Sequence, residues 1–146
     1  MRTIQRSARV KYSAGQMFEL VDDIESYPKF LPWCQRASVQ LRSGEVVEAT
    51  LDIGLGGVNK QFSTRNRLTQ SDRIDIELLK GPFKSLEGTW TFEGHEDGGS
   101  EVKLVLEFEV AHSPLNMVFA LLFEEVARSQ VLAFVGRAEA LYGRRG

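Results

Sequence analysis

The sequence has little cysteine and no long hydrophobic run, and each shortage excludes a class of protein. One cysteine among 146 residues excludes an internal disulfide framework and a zinc site built from cysteines, and it fits a reducing compartment. No apolar run reaches the ~20 residues of a membrane span. The N-terminus lacks the apolar core of a secretory signal. We therefore expect a cytoplasmic protein without a membrane-spanning helix.

Neither sign of charge is in large excess. The chain has 18 Lys and Arg residues against 20 Asp and Glu residues, for a formal net charge of −2. The chain therefore has no overall positive field that would indicate nucleic-acid binding. The net charge does not exclude a local basic patch. The length suits one domain with its own core, and we expect a single domain over residues 1–146.

Alternating apolar residues predict a sheet of six or seven strands. The first strand covers Arg2–Val10, and a short helix capped by Ser13 follows it. The later segments with a period of two are Ala37–Leu41, Val47–Leu55, Lys60–Leu68, Arg73–Leu79, Phe83–Glu93 and Glu101–Val110. Pro114, after a capping Ser113, starts a last helix that meets no strong breaker before Gly143.

This order of elements predicts an α+β fold with a curved antiparallel sheet wrapped around a long C-terminal helix. Each strand has one apolar face, and the long helix is the only element that can cover all of these faces. A sheet that grips one helix often encloses more space than side chains fill, so we expect a cavity.

No catalytic constellation emerges, and this favours a non-enzymatic protein. His95 and His112 have no carboxylate or nucleophile at a telling spacing. Cys34 follows Trp33 in an apolar stretch, which favours a buried packing role over a reactive thiol. The pair Glu124 and Glu125 is interpreted as a solvated helix face, the alternative being a polar group in the cavity.

The segment Gly54-Leu55-Gly56-Gly57 superficially suggests a phosphate-binding loop. It lacks the Lys-Ser/Thr pair of such loops and is not followed by a helix. We interpret it as the end of a strand and a turn.

Five motifs resemble those of the START-like, or helix-grip, superfamily of lipid-transfer and polyketide cyclase-like proteins. They are ESYPKFLPWC (25–34), STRNRL (63–68), GPFKSLEGTWTF (81–92), LEFEV (106–110) and AFVGRAEALYG (133–143). Together they resemble more narrowly the coenzyme Q-binding START-domain family and its bacterial branch, the ribosome association toxin (RatA-like) proteins. The resemblance extends from Thr3 to Gly143. Leu132 and Gly136 depart from it, because the family has polar residues there.

The resemblance implies a helix-grip cavity with a lid. The loop YPKFLPWC, at 27–34, would lie over one end of the cavity, with Phe30, Leu31 and Trp33 facing a ligand or a membrane. The alternative is that this loop plugs the core. The further candidate ligand-binding residues are the inward-reading Phe62, Leu86, Trp90, Phe108, Phe123 and Phe134. Core packing and ligand contact are compatible roles for these residues.

A basic stripe is the other candidate surface. Arg65 and Arg67 share one face of a predicted strand, and Lys60 is close in sequence. Such a stripe suits ribosomal RNA or an anionic headgroup. The alternative is an ordinary solvated sheet face.

Three functions follow from the resemblance. The first is non-enzymatic binding of ubiquinone or another polyprenyl lipid in support of respiratory quinone function, which would place the protein in the cytoplasm or at the inner membrane, with transient membrane contact. The second is a ribosome association inhibitor that binds the large subunit and blocks subunit joining. The third is a cyclase-type enzyme, which the lack of acid–base groups disfavours. No cofactor or metal is expected, and the oligomeric state stays open.

Overall fold

The computed structural model describes residues 1–143; residues 144–146, at the end of the predicted domain, lie outside this range. Seven strands and two α-helices make up the described chain. In chain order they are β1 (Arg2–Val10), α1 (Ala14–Asp22), β2 (Cys34–Ser43), β3 (Val46–Leu55), β4 (Val58–Thr69), β5 (Arg73–Lys80), β6 (Ser85–Gly94), β7 (Ser100–Glu109) and α2 (Pro114–Tyr142), with a 3-10 helix (Ile24–Lys29) between α1 and β2.

The strands form one antiparallel sheet in the order β1-β7-β6-β5-β4-β3-β2. Apolar residues face one another across it, as in the pairs Ile4–Leu106 and Ile74–Trp90. These side chains are buried because they point to the concave face, whereas their neighbours along each strand point away. The predicted α+β fold, a curved sheet around a C-terminal helix, is confirmed.

The two ends of α2 follow from local chemistry. Ser113 caps the helix by accepting a hydrogen bond from the backbone N–H of Asn116, and Pro114 occupies its first turn. Gly143, at a φ of 79°, ends it. One stripe of α2 enters the concave face of the sheet; its buried members are Phe119, Ala120, Phe123, Ala127, Val131, Phe134 and Ala138. No helix of residues 1–143 is long and apolar enough to cross a membrane.

The proline-rich segment at 27–34 contains more regular structure than the sequence predicts. Tyr27, Pro28 and Lys29 complete the 3-10 helix, and Cys34 already begins β2. A single proline fits here because the turns on either side close without its missing N–H: Ser26 donates to Asp23 and Phe30 donates to Tyr27. Only the residues 30–33 form an irregular connection.

Candidate functional site

A cavity of about 100 Å³ lies between the concave face of the sheet and the middle of α2. Its walls are mostly apolar and come from β3 to β7, α2, the 3-10 helix and the connection at 30–33. Ala127 explains its position on the helix side: this small side chain stands on the buried stripe between Phe123 and Phe134, so the helix surface recedes there.

Six of the nine predicted ligand-binding residues lie on the cavity wall. They are Trp33, Phe62, Leu86, Trp90, Phe123 and Phe134. Each is at most 8% exposed. Their position is therefore established, and their contact with a ligand stays a prediction.

Phe108 lies behind this wall. It is fully buried, and its ring centroid is 4.9 Å from that of Phe123 and 6.0 Å from that of Phe83. Phe83 also packs on Phe119, at 5.6 Å. These rings form a packed aromatic cluster against the lining residue Phe123, so Phe108 supports the wall instead of forming it.

Phe30 and Leu31 also lie off the cavity wall. Leu31 is 1% exposed and belongs to the hydrophobic core. Phe30 is half-buried and packs edge-on against Phe134 at 5.2 Å, with the Arg137 guanidinium 5.0 Å above its ring. Of the three predicted lid residues, only Trp33 borders the cavity. Opening of this loop as a lid stays a prediction.

Polar groups on the cavity wall are few and arranged in pairs. Trp33 Nε1 donates to Gln130 Oε1 across 3.2 Å, which ties the connection at 30–33 to α2. Thr64 Oγ1 donates to Asn66 Oδ1 across 3.1 Å, both on β4. The Tyr27 hydroxyl donates to the Val21 carbonyl. No charged side chain lines the cavity within the described residues.

Asn66, Thr64 and Gln130 were not among the predicted site residues. The sequence carries a signal for the first two, because they alternate with the buried Phe62 and Leu68 and so are polar residues on an apolar strand face. Gln130 likewise interrupts the apolar stripe of α2. A buried polar group on an otherwise apolar face is more informative about a site than the buried apolar residues around it.

The two titratable groups near the loop are held neutral. Burial raises the pKa of the Cys34 thiol to about 11. Burial also raises the pKa of the Tyr27 hydroxyl, and the carboxylate of Asp22 adds to the effect. Cys34 is therefore a packing residue, as the sequence predicts, and its thiol is a poor nucleophile near neutral pH.

The acidic pair on α2 stays outside the cavity. Glu124 is bound by Arg2 at 3.1 Å and by Arg128 at 3.1 Å, and Glu125 is exposed and paired with Arg128 at 2.9 Å. Within residues 1–143 no group of His, Cys, Asp and Glu residues could hold a metal ion.

The predicted basic stripe is largely neutralised. Arg65 binds Glu48 at 2.9 Å and Glu77 at 3.4 Å, and Arg67 reaches the same Glu77 oxygen at 3.5 Å. Lys60 does not belong to this face, because strand alternation places it on the side of Phe62. The three cations therefore do not form one continuous surface, and their contact with RNA stays a prediction.

The fold and the apolar cavity define a START-like, helix-grip protein. A crystal structure of the ZhuI aromatase/cyclase from Streptomyces sp. R1128 superposes with a TM-score of 0.83 over 94% of this chain and 93% of that one, at 15% identity. At this identity the likeness shows the fold alone.

The chain belongs to the family described as Polyketide cyclase / dehydrase and lipid transport, which matches residues 10–135. Within it, the chain falls in the branch of the RatA and coenzyme Q-binding proteins. It is 39% identical to the ribosome association toxin RatA of Vibrio cholerae, over 98% of this chain and 99% of the relative. It is 29% identical to the mitochondrial coenzyme Q-binding protein COQ10 homolog B of Xenopus laevis, over 92% of this chain and 57% of the relative.

Proposed function

We propose that this protein controls the association of ribosomal subunits by binding the large subunit in the cytoplasm and blocking its joining to the small one. The observation that carries the proposal is the 39% identity to a ribosome association toxin along nearly the full length of both chains. The cavity lining within the described residues has no charged side chain, which is in keeping with the proposal, because blocking an interface needs a surface and no reacting groups.

The sedimentation of purified ribosomes tests this proposal. Added protein should convert joined ribosomes into free subunits in a dose-dependent way and travel with the large subunit in a density gradient. Boiled protein is the control for nonspecific effects. An unchanged gradient, with all of the protein left at the top, overturns the proposal.

A second function is supported by a separate observation, the cavity. We propose that it binds an apolar small molecule, the ubiquinone or other polyprenyl lipid class being the one that the family branch suggests. The cavity of about 100 Å³ is smaller than the engineered cavity of about 150 Å³ that holds benzene. A head group the size of one ring therefore requires the walls to move apart slightly, and a polyprenyl tail would lie outside the cavity.

Organic extraction of the purified protein followed by mass spectrometry tests ligand binding. A quinone or other apolar compound should be enriched over a mock purification. Titration with a short-tailed ubiquinone should quench tryptophan emission saturably, since Trp33 and Trp90 both border the cavity. The absence of both signals would rule out this function without affecting the ribosome experiment.

A further inference from the structure

Two primary amides line opposite walls of the cavity, Asn66 on β4 and Gln130 on α2. Asn66 is only 7% exposed and lies among apolar side chains. An amide at such a position is unfavourable unless its hydrogen-bonding groups find partners. The partners that each amide has, and lacks, therefore indicate what the cavity is built to hold.

In both amides the oxygen already accepts a hydrogen bond from the protein. Trp33 donates to the Gln130 oxygen, and Thr64 donates to the Asn66 oxygen. The indole N–H can only donate, so the Gln130 amide must turn its oxygen, and not its nitrogen, towards Trp33. What each amide has left is its NH2 group.

These two NH2 groups are without protein partners among residues 1–143. Each carries two donors and no acceptor. Both amides border the cavity, which therefore offers N–H donors that no protein group within residues 1–143 occupies, while its other walls are apolar and its described lining includes no charge. A cation would meet donors instead of acceptors, and an anion would be desolvated without a counter-charge.

We propose that the cavity selects an uncharged apolar ring that carries a carbonyl-type acceptor, and that Asn66 and Gln130 donate N–H bonds to that oxygen. This inference rests on the ligand-binding function proposed above and adds the chemical class of the ligand. Cyclic ketones, aryl ketones and quinones belong to this class. A site built around hydrogen-bond donors discriminates against an analogue that lacks the acceptor, because its buried donors are then left unpaired.

Acetophenone and ethylbenzene are suitable probes, since they share one ring and differ in the carbonyl oxygen. Binding to the full chain is followed by NMR titration, in the wild type and in Asn66→Leu. The variant should weaken acetophenone binding by about tenfold, because one hydrogen bond is lost, and should leave ethylbenzene binding within about twofold. Asn59→Leu is the matched control: Asn59 is exposed on the same strand and outside the cavity lining, so neither affinity should change.

The side-chain NH2 signal of Asn66 in the wild type supplies a second measurement that needs no variant. It should shift clearly further with acetophenone than with ethylbenzene, because both probes add a ring-current shift and only acetophenone accepts a hydrogen bond. Equal shifts with both probes, or equal weakening of both in Asn66→Leu, would mean that only cavity volume matters; this overturns the inference and leaves apolar ligand binding standing. Failure of both probes to bind the wild type overturns the inference, and the extraction experiment then decides separately whether any apolar ligand is bound.

Discussion

Trp33 donates its indole N–H to the side-chain oxygen of Gln130 across 3.2 Å, and this contact joins the end of the proline-rich loop to the centre of α2. The two residues are 97 positions apart in sequence. Both border the cavity, so the same hydrogen bond fixes one side of the wall and orients the Gln130 amide.

Gln130→Leu should therefore destabilise the fold. Trp33 is 8% exposed, and the substitution leaves its N–H without an acceptor. Leaving a buried donor unsatisfied costs about 1–3 kcal/mol. Urea denaturation monitored by circular dichroism measures this loss of stability. Ser129→Ala, at the exposed neighbouring position, should change stability by less than about 0.5 kcal/mol; equal effects of the two variants would contradict a structural role for the Trp33–Gln130 bond.

Trp90→Ala should also destabilise strongly. Trp90 is 4% exposed, and its ring lies 5.3 Å from that of Phe134 and 6.3 Å from that of Phe92. Truncating such a side chain costs roughly 3–5 kcal/mol, and we expect the lower end because one side of the ring already faces the cavity. Glu93→Ala, exposed on the same strand, is the control in the same denaturation assay. A loss below about 1 kcal/mol for Trp90→Ala would show that its packing contributes little.

The charge distribution predicts which cations would meet ribosomal RNA. Arg65 and Arg67 are paired with carboxylates, whereas Lys60 and Lys80 enter none of the ion pairs of residues 1–143. Lys60, Lys80 and Lys84 all lie towards the end of the sheet where β3 turns into β4 and β5 into β6; Lys84 is paired with Glu109 only loosely, at 3.8 Å.

Replacing these three lysines by glutamine should thus weaken ribosome association. It should also reduce the salt dependence of binding, because a protein that makes fewer phosphate contacts releases fewer counterions when it binds. Arg65→Gln with Arg67→Gln is the matched comparison and should have the smaller effect. Co-sedimentation measured at several salt concentrations gives both quantities. A larger loss of ribosome association in the arginine double variant would indicate that RNA contacts the face of β4 that carries Arg65 and Arg67.

The raised pKa of Cys34 predicts slow alkylation of the native protein. Its reaction with iodoacetamide should keep accelerating above pH 9, because the thiolate population grows only as pH approaches the pKa of about 11. In the urea-unfolded chain the rate should level off near the ordinary thiol pKa of about 8.5. A native rate that levels off at that same pH would show that the thiol is exposed.

The same shift makes stability depend on alkaline pH. The folded state holds the Cys34 proton to a higher pH than the unfolded state does, so the unfolded chain ionises first. The contribution is full below the unfolded pKa and is lost as pH rises from there to about 11. Cys34→Ala should flatten this decline only in part, because burial also raises the pKa of Tyr27.

Much of the fold could be predicted because one-sided burial leaves a periodic trace. β7 alternates Val102, Leu104 and Leu106 with polar residues, since one face of the strand packs on α2 and the other meets water. The limits of α2 could likewise be predicted. Serine is a common N-cap, and glycine readily adopts the positive φ that ends a helix, as Ser113 and Gly143 do here.

The site was less predictable because periodicity indicates burial and not what a buried residue touches. Leu31 and Phe108 are as buried as Phe62, yet only Phe62 borders the cavity, and that difference depends on how the loop and the aromatic cluster pack. The pairing of Arg65 with Glu48 and Glu77 depends on strand register, which alternation does not fix.

Filling the cavity distinguishes a binding site from an incidental void. Ala127 stands on its wall, and Ala127→Leu would place new methyl groups in the empty space. The free energy of unfolding of the ligand-free protein should rise by about 0.5–2 kcal/mol, as is common for cavity-filling substitutions. Apolar ligands should no longer fit in the cavity. Ala120→Leu is the matched control, since Ala120 is equally buried on the same stripe but away from the cavity; overpacking there should cost about 1–3 kcal/mol.

Thermal denaturation and probe titration measure both effects of Ala127→Leu, and ribosome sedimentation is run in parallel. If the cavity serves ligand binding alone, the variant should be more stable, fail to bind the probes and still dissociate ribosomes. Loss of ribosome activity in a well-folded Ala127→Leu protein would instead couple the two functions, because no residue on the outer surface has changed. A destabilised variant that binds probes normally would show that the space beside Ala127 is already filled by packing.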